Sequence, residues 1–212
     1  MNQLLSTVFH EVRNPLGVIN LHAELIMRNP EKAALSAEII SRTSRDLEQI
    51  LTQLLDFSKP IALEKTEGNI EHTINKVINL IKPGYDEKNI EITFKNTLKK
   101  ELSLSFDKPK IHQVLFNLLK NALEASKSGD RVEVSLESFK RNSIFIKISD
   151  QGLGIPAENR EKIFKPYFTT KKHGSGIGLA EAKKIVEAHE GSLYIDTKKA
   201  GGTSFIIQLK GG

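Results

Sequence analysis

The sequence has no cysteine in 212 residues. That excludes a disulfide framework, a zinc ribbon and a thiol nucleophile, and it fits a reducing compartment. Aromatic residues are scarce at 6%. No basic stripe is interleaved with them, which argues against nucleic acid as a partner. No apolar run approaches the ~20 residues a membrane span needs, so no membrane span is expected in this chain. The opening Met1-Asn2-Gln3 lacks a basic n-region and no cleavage site follows, so no signal peptide is expected. There is no internal repeat and no low-complexity tract.

What is present reads as globular. Hydrophobic residues make up 39% and charged residues 27%, close to an ordinary soluble protein. The length admits one or two domains. The net charge of +5 is unevenly spread. Residues 1–60 hold six Lys or Arg against seven Asp or Glu, and residues 61–212 hold 25 against 19. The second part would suit an anionic ligand or partner.

Residues 1–60 read as two helices. Leu5, Val8, Val12, Leu16, Ile19, Ala23 and Ile26 recur at steps of three and four, a stripe of 3.6-residue period. Arg28-Asn29-Pro30 interrupts it, with Asn29 placed to cap a second helix and Pro30 at its first position. A second stripe runs Leu35, Ile39, Thr43, Leu47, Ile50, Leu54, Phe57 and stops at Ser58-Lys59-Pro60. Helices of this length are ~40 Å long. So short a turn makes them antiparallel neighbours. One hairpin cannot cover both stripes, whereas two hairpins can form a four-helix bundle. A homodimer through residues 1–60 is therefore expected, the alternative being that the hairpin packs on the rest of its own chain. The helical pattern starts at once, as if a longer helix had been cut.

From residue 61 the pattern changes. Glu71 to Ile81 is helical and ended by Lys82-Pro83-Gly84. Ile90 to Phe94 and Leu102 to Phe106 alternate as strands do. Lys108 to Ser126 is a strongly apolar helix. Val132 to Ser138 and Ser143 to Ile148 read as paired strands. A helix from Gly178 to Glu190 and strands at Leu193 to Ile195 and Thr203 to Leu209 complete the chain. Strands and helices do not strictly alternate, so the fold class expected is α+β, with helices on one face of a mixed sheet.

Four motifs carry chemistry. In His10-Glu11-Val12-Arg13-Asn14-Pro15-Leu16, His10 lies ~200° round the helix from Val12, away from the apolar stripe. A neutral imidazole there can act as nucleophile, with Glu11 beside it as proton acceptor. Asn14 is one turn further on the same face, and Pro15 predicts a kink. The ordinary reading is a solvated histidine. Asn117 and Asn121 stack on one face of an apolar helix. Their amide oxygens are hard ligands suited to Mg²⁺, or are simply satisfied core amides. Asp150-Gln151-Gly152-Leu153-Gly154-Ile155 follows a strand. A carboxylate at that point can accept from an exocyclic amine, with the glycines admitting a flat ring; the alternative is a plain turn. Gly174-Ser175-Gly176-Ile177-Gly178 enters a helix, where exposed amides face anions, and Lys171 and Lys172 precede it. It is neither a P-loop nor a dinucleotide fingerprint, and a linker would have the same composition.

Taken together and in this order, the motifs resemble a sensor histidine kinase of two-component signalling over essentially the whole chain. His10 to Leu16 looks like the H box, Asn117 to Ala122 the N box, Asp150 to Ile155 the G1 box and Gly174 to Gly178 the G2 box. Ile163 to Lys171 looks like the F box and the start of the ATP lid, and Gly201-Gly202-Thr203 resembles the threonine-bearing segment near adenine.

The resemblance implies two domains: a dimerisation and phosphotransfer hairpin over 1–60, and a catalytic ATP-binding α/β sandwich of the Bergerat type over 61–212. His10 would take the γ-phosphoryl of ATP and pass it to an aspartate on a response regulator receiver domain. Glu11 would assist proton removal, and Asn14 matches the position that orients water for dephosphorylating the regulator. Asn121 would hold Mg²⁺, with Asn117 supporting the metal and phosphates. Asp150 would bind the adenine amino group, with Gly152, Gly154 and Thr203 around it. Lys171, Gly174, Gly176 and Gly178 would line the phosphates. Gyrase-like and chaperone ATPases carry a glutamate where this chain has Asn117, an amide that cannot act as a base. Pro60 to Gly68 is the expected hinge. The chain is expected to be a cytoplasmic kinase core, cut from a longer protein that could carry a membrane anchor, with a naturally short protein as the alternative. A phosphatase that has lost net kinase activity and a non-enzymatic binding module are the competing functions.

Overall fold

The computed structural model describes residues 2–98, 103–139, 143–171, 176–196 and 201–210. The side chains of 2–11, 49, 53, 54, 56–58, 138 and 139 lie outside that description. The chain divides into two compact units, one of residues 1–60 with 166–177, the other of 61–165 with 178–212.

In the first unit, α1 spans Asn2–Arg28 and runs through Pro15. A short turn at Pro30–Lys32 leads into α2, Ala33–Ser58. Asn29 ends α1, its backbone N–H bonding to the Leu25 carbonyl at 2.8 Å. Its side chain caps nothing, contrary to the capping role expected of it; Pro30 alone sets the start. α1 and α2 pack side by side. Between them Ser36 is 3% exposed and its Oγ lies 3.2 Å from His22 Nδ1. The outer faces are apolar: Leu16, Leu21, Leu35, Leu51 and Leu55 are all exposed. A surface helix normally turns such residues inward.

The second unit is α+β, as expected. Strand β1 (Thr66–Asn69) pairs antiparallel with β3 (Ser103–Phe106). The main sheet has β2 (Glu91–Asn96), β4 (Arg131–Phe139), β5 (Ser143–Ser149), β7 (Ser204–Lys210) and β6 (Ser192–Ile195), in that spatial order. β2 and β4 are parallel and the other pairs antiparallel. Along β5 Ile144, Ile146 and Ile148 are buried while Ser143, Phe145 and Lys147 are half-exposed. One face of the sheet is thus covered. The helices α3 (Ile70–Glu87), α4 (Lys108–Ala125) and α5 (Gly178–Ala188) pack there. Their buried stripes include Ile74 and Val77, Val114 and Leu118, and Ile185 and Val186. Each such side chain contributes roughly 1.5–3 kcal/mol when fully buried.

Two local expectations are corrected. α3 does not end at Lys82-Pro83-Gly84 but runs on to Glu87. Pro83 removes one donor, to the carbonyl of exposed Asn79, which water can satisfy. The extra turn buries Tyr85 completely. The expected hinge, Pro60 to Gly68, is partly strand, since Thr66 to Gly68 belong to β1. The backbone N–H of Glu64 is also fixed, donating to Asp107 Oδ2 at 2.9 Å. Leu102, expected to open a strand, lies outside the described residues.

Asp107 is a structural node. It caps α4, its Oδ1 accepting from Lys110 N at 3.0 Å. Its own backbone N–H donates to Nε2 of buried His189, just beyond α5, at 3.0 Å. Nδ1 of that ring lies 2.8 Å from the Ile185 carbonyl. His189 is thus held as the neutral Nδ1–H tautomer. Burial keeps its pKa below the ordinary value and the Lys65 charge acts the same way, against the Ile185 bond and the Asp107 charge.

Candidate functional site

α4 presents two kinds of face. Its apolar stripe turns to the sheet, while Asn117 and Asn121, one turn apart, are half-buried. Asn117 Nδ2 donates to the carbonyl of Gly178, the first residue of α5, at 3.2 Å. With Nδ2 committed, Oδ1 is the end left to act as a ligand. A Cβ at Gly178 would meet Asn117 Cγ at 3.5 Å, an ordinary contact, so packing against Asn117 does not require glycine there. Among the described residues no group of three His, Cys, Asp or Glu could hold a metal. Two amide oxygens nevertheless fit Mg²⁺, which keeps water and phosphate as its other ligands.

Asp150 sits at the end of β5, 2% exposed. Its Oδ1 accepts the backbone N–H of Gly152 and of Thr203, each at 2.9 Å, and its own N–H donates to the Thr203 carbonyl at 2.9 Å. The loop is also anchored from outside, Gln151 Oε1 accepting from Arg131 N at 2.8 Å. Glycine is required here for reasons the sequence reading did not supply. A Cβ on Gly152 would collide with the Ala125 carbonyl at the end of α4, and one on Gly202 with the carbonyl of Asp150. Gly202 and Gly154 also have φ of +65° and +74°, open to glycine at no steric cost.

Tyr85 was not foreseen in this site. Its hydroxyl donates to the Leu119 carbonyl at 2.7 Å. Its pKa is pushed far up, first by burial and then by the charge of Asp150. It therefore ties α3 to α4 within electrostatic reach of the aspartate. An isolated tyrosine after a proline gave no sequence signal for this.

The structure thus links Asp150, Gly152 and Thr203 by hydrogen bonds, sets Gly154 against Gly202, and joins Asn117 to Gly178. Lys171 and Gly176 fall in segment 166–177, grouped with the first unit. There the Tyr167 N–H donates to the Gly176 carbonyl at 3.0 Å. A Cβ on Gly176 would lie 2.5 Å from the Tyr167 carbonyl carbon. Lys171 is exposed, its N–H donating to Thr169 Oγ1 at 3.0 Å. Gly174 lies outside the described residues. His10 and Glu11 are on α1, with side chains outside the description; Asn14, one turn on, is exposed.

A helical hairpin followed by a mixed sheet, with a buried aspartate at a strand end and paired amides on the neighbouring helix, is the arrangement that the resemblance to sensor histidine kinases implies. Comparison with known proteins agrees. Residues 1–62 match the model of the His Kinase A (phospho-acceptor) domain, and residues 106–211 that of the histidine kinase-, DNA gyrase B- and HSP90-like ATPases. The chain belongs to the family of two-component sensor histidine kinases. It is 31% identical to the sensor histidine kinase ZraS of Salmonella typhimurium over 99% of its length, spanning 45% of that relative. Among solved structures, the catalytic domain of histidine kinase ThkA is 32% identical with TM-score 0.65, covering 70% of this chain and 96% of that one. ThkA solved in complex with the response regulator TrrA is 30% identical with TM-score 0.77, covering 99% of this chain and 61% of that one. Among the described residues no helix is long and apolar enough to cross a membrane.

Proposed function

We propose that the chain is an autokinase core that transfers the γ-phosphoryl group of ATP to His10 and then to an aspartate of a response regulator receiver domain. The observation that carries this reading is the buried, amide-locked Asp150 beside a helix bearing Asn117 and Asn121, with an amide where a hydrolase needs a base. A site without a general base spares ATP from water and suits transfer to a protein nucleophile. One imidazole nitrogen of His10 bonds to the γ-phosphorus, the bond to the β–γ bridging oxygen breaks and ADP leaves. Glu11 receives the proton from the other ring nitrogen. The transfer is positional and electrostatic, with little covalent work for the protein.

Asp150 accepts the adenine amino group, within a wall built from Gly152, Gly154 and Thr203. Asn121 holds Mg²⁺, supported by Asn117; the ion supplies charge neutralisation on the phosphates. Lys171, Gly174, Gly176 and Gly178 serve the phosphates, and Asn14 orients water when the regulator is dephosphorylated. We assign residues 1–60 to the phosphotransfer domain and 61–212 to the catalytic domain, working in the cytoplasm. The exposed leucines of the hairpin, Leu16, Leu21, Leu35, Leu51 and Leu55, support a homodimer through 1–60, since apolar surface left uncovered on a helix pair suits an interface. The complex of ThkA with TrrA supports a receiver domain as partner.

The test is incubation with γ-labelled ATP and Mg²⁺, comparing the parent chain with His10→Gln and Asn121→Ala. Acid-labile, alkali-stable label, absent from both variants, is the expected result. Label that persists in His10→Gln overturns the assignment of the acceptor.

A further inference from the structure

The first turns of α3 and α4 open a cleft of about 580 Å³. His112 stands five residues before Asn117, about 140° round the helix. The cleft therefore lies on the α3 side of α4, while Asn117 faces α5. Its lining includes His72, Thr73 and Lys76 from α3, and Lys108, Pro109 and His112 from α4. Four of these are basic and none is acidic. Among the described residues no side chain of the four forms an ion pair or hydrogen bond.

The neighbouring carboxylates are engaged elsewhere. Glu71 Oε2 accepts from Asn96 Nδ2 at 2.8 Å and Glu67 Oε2 from Ser103 Oγ at 2.8 Å. Asp107 is taken by Lys110 N and Glu64 N. Among the described residues no carboxylate lines the cleft or pairs with its lysines. The Pro109 ring, the Thr73 methyl and the lysine stems give the lining its apolar area. A concave, mainly apolar floor with a few convergent polar groups is the usual form of a small-molecule site, and the volume falls in the usual range.

We propose that this cleft binds a small organic anion, with an apolar or aromatic body on the Thr73 and Pro109 floor and a carboxylate or phosphate group among His72, Lys76, Lys108 and His112. The site is separate from the nucleotide wall. It rests on none of His10, Asn117, Asn121 or Asp150, so it stands or falls independently of the autokinase reading. A bound anion would bridge the first turns of α3 and α4, next to the Glu64 backbone that Asp107 holds.

The experiment is an NMR titration of the ¹⁵N-labelled full chain with 1-naphthyl phosphate and, separately, 1-naphthoate, each with and without saturating ATP and Mg²⁺. Saturable shifts of amides in 69–76 and 108–112, unchanged by ATP, are the expected result. The tighter of the two probes assigns the anionic group as phosphate or carboxylate. The double variant Lys76→Glu/Lys108→Glu reverses two exposed charges without touching the core. It should keep its spectrum elsewhere and bind roughly tenfold more weakly or worse. The uncharged 1-naphthalenemethanol should lose as much. Undiminished binding to the double variant overturns the proposal. So do equal binding of the neutral alcohol, shifts displaced by ATP or confined to the hairpin, and the absence of saturable shifts.

Discussion

Asp150 and Thr203, fifty-three residues apart in sequence, exchange two hydrogen bonds: the Thr203 N–H to the aspartate Oδ1 and the Asp150 N–H to the Thr203 carbonyl, both 2.9 Å. The carboxylate therefore braces the start of β7 and fixes its own orientation.

Asp150→Ala should abolish detectable ATP binding in calorimetric titration. It should also lower the unfolding free energy by about 1–3 kcal/mol per amide left unpaired, because Gly152 and Thr203 lose their acceptor. Binding within threefold of the parent chain would show that Asp150 serves the fold alone.

Gly201 and Gly202 both have positive φ, 77° and 65°, but only Gly202 is crowded, a Cβ at 201 meeting nothing within 4 Å. Gly201→Ala should cost only about 1 kcal/mol of backbone strain. Gly202→Ala must also displace the Asp150 carbonyl, so it should cost clearly more and weaken ATP binding. Urea unfolding of the two variants side by side checks this, and equal losses would contradict it.

Two buried tyrosines should respond in opposite directions to loss of the hydroxyl. Tyr85→Phe removes the 2.7 Å bond to Leu119 and should destabilise by about 1 kcal/mol. The Tyr167 hydroxyl is buried and has no hydrogen-bond partner among the described residues, and burial raises its pKa. Tyr167→Phe relieves that desolvation, so it should be neutral or stabilising. Thermal unfolding distinguishes the two signs.

His189 makes stability fall on the acid side. Its folded-state pKa is held below the ordinary 6.5, so the unfolded chain binds the proton more readily. The stability it contributes is present above 6.5 and is lost as pH falls through 6.5 towards the lower folded value. Between about pH 7.5 and about pH 5, the parent chain should lose more unfolding free energy than His189→Gln. Parallel pH profiles would show that the ring is not the titrating group.

Most of the frame was legible because it is written in local pattern. The stripe of α4 and the alternation of β5 each bury one face, and periodicity reports that directly. The glycine loops were legible in order and spacing, though not in cause. Gly152 is glycine because of Ala125, and that contact depends on how the end of α4 meets the β5 loop. β1 escaped detection because Thr66-Glu67-Gly68-Asn69 has no apolar alternation and is set by pairing with β3. The end of α3 was misjudged because Pro83 is a local stop signal, whereas Tyr85 is held by burial and by Leu119 across the core. Tyr85 illustrates the general limit: a residue whose role is to touch another helix leaves no mark in its own neighbourhood of the chain.

The wall around Asp150 is made of main chain, from Gly152, Gly154, Gly202 and the amide of Thr203, and its shape is enforced by collisions with other main chain. Variation can therefore damage this cluster but has few ways to re-tailor it. A cavity lined by side chains can drift towards a new ligand one residue at a time. Here each single step at a glycine moves the scaffold itself, so new specificity in this family member is more readily gained on the hairpin or the basic cleft than in the wall that holds the aspartate.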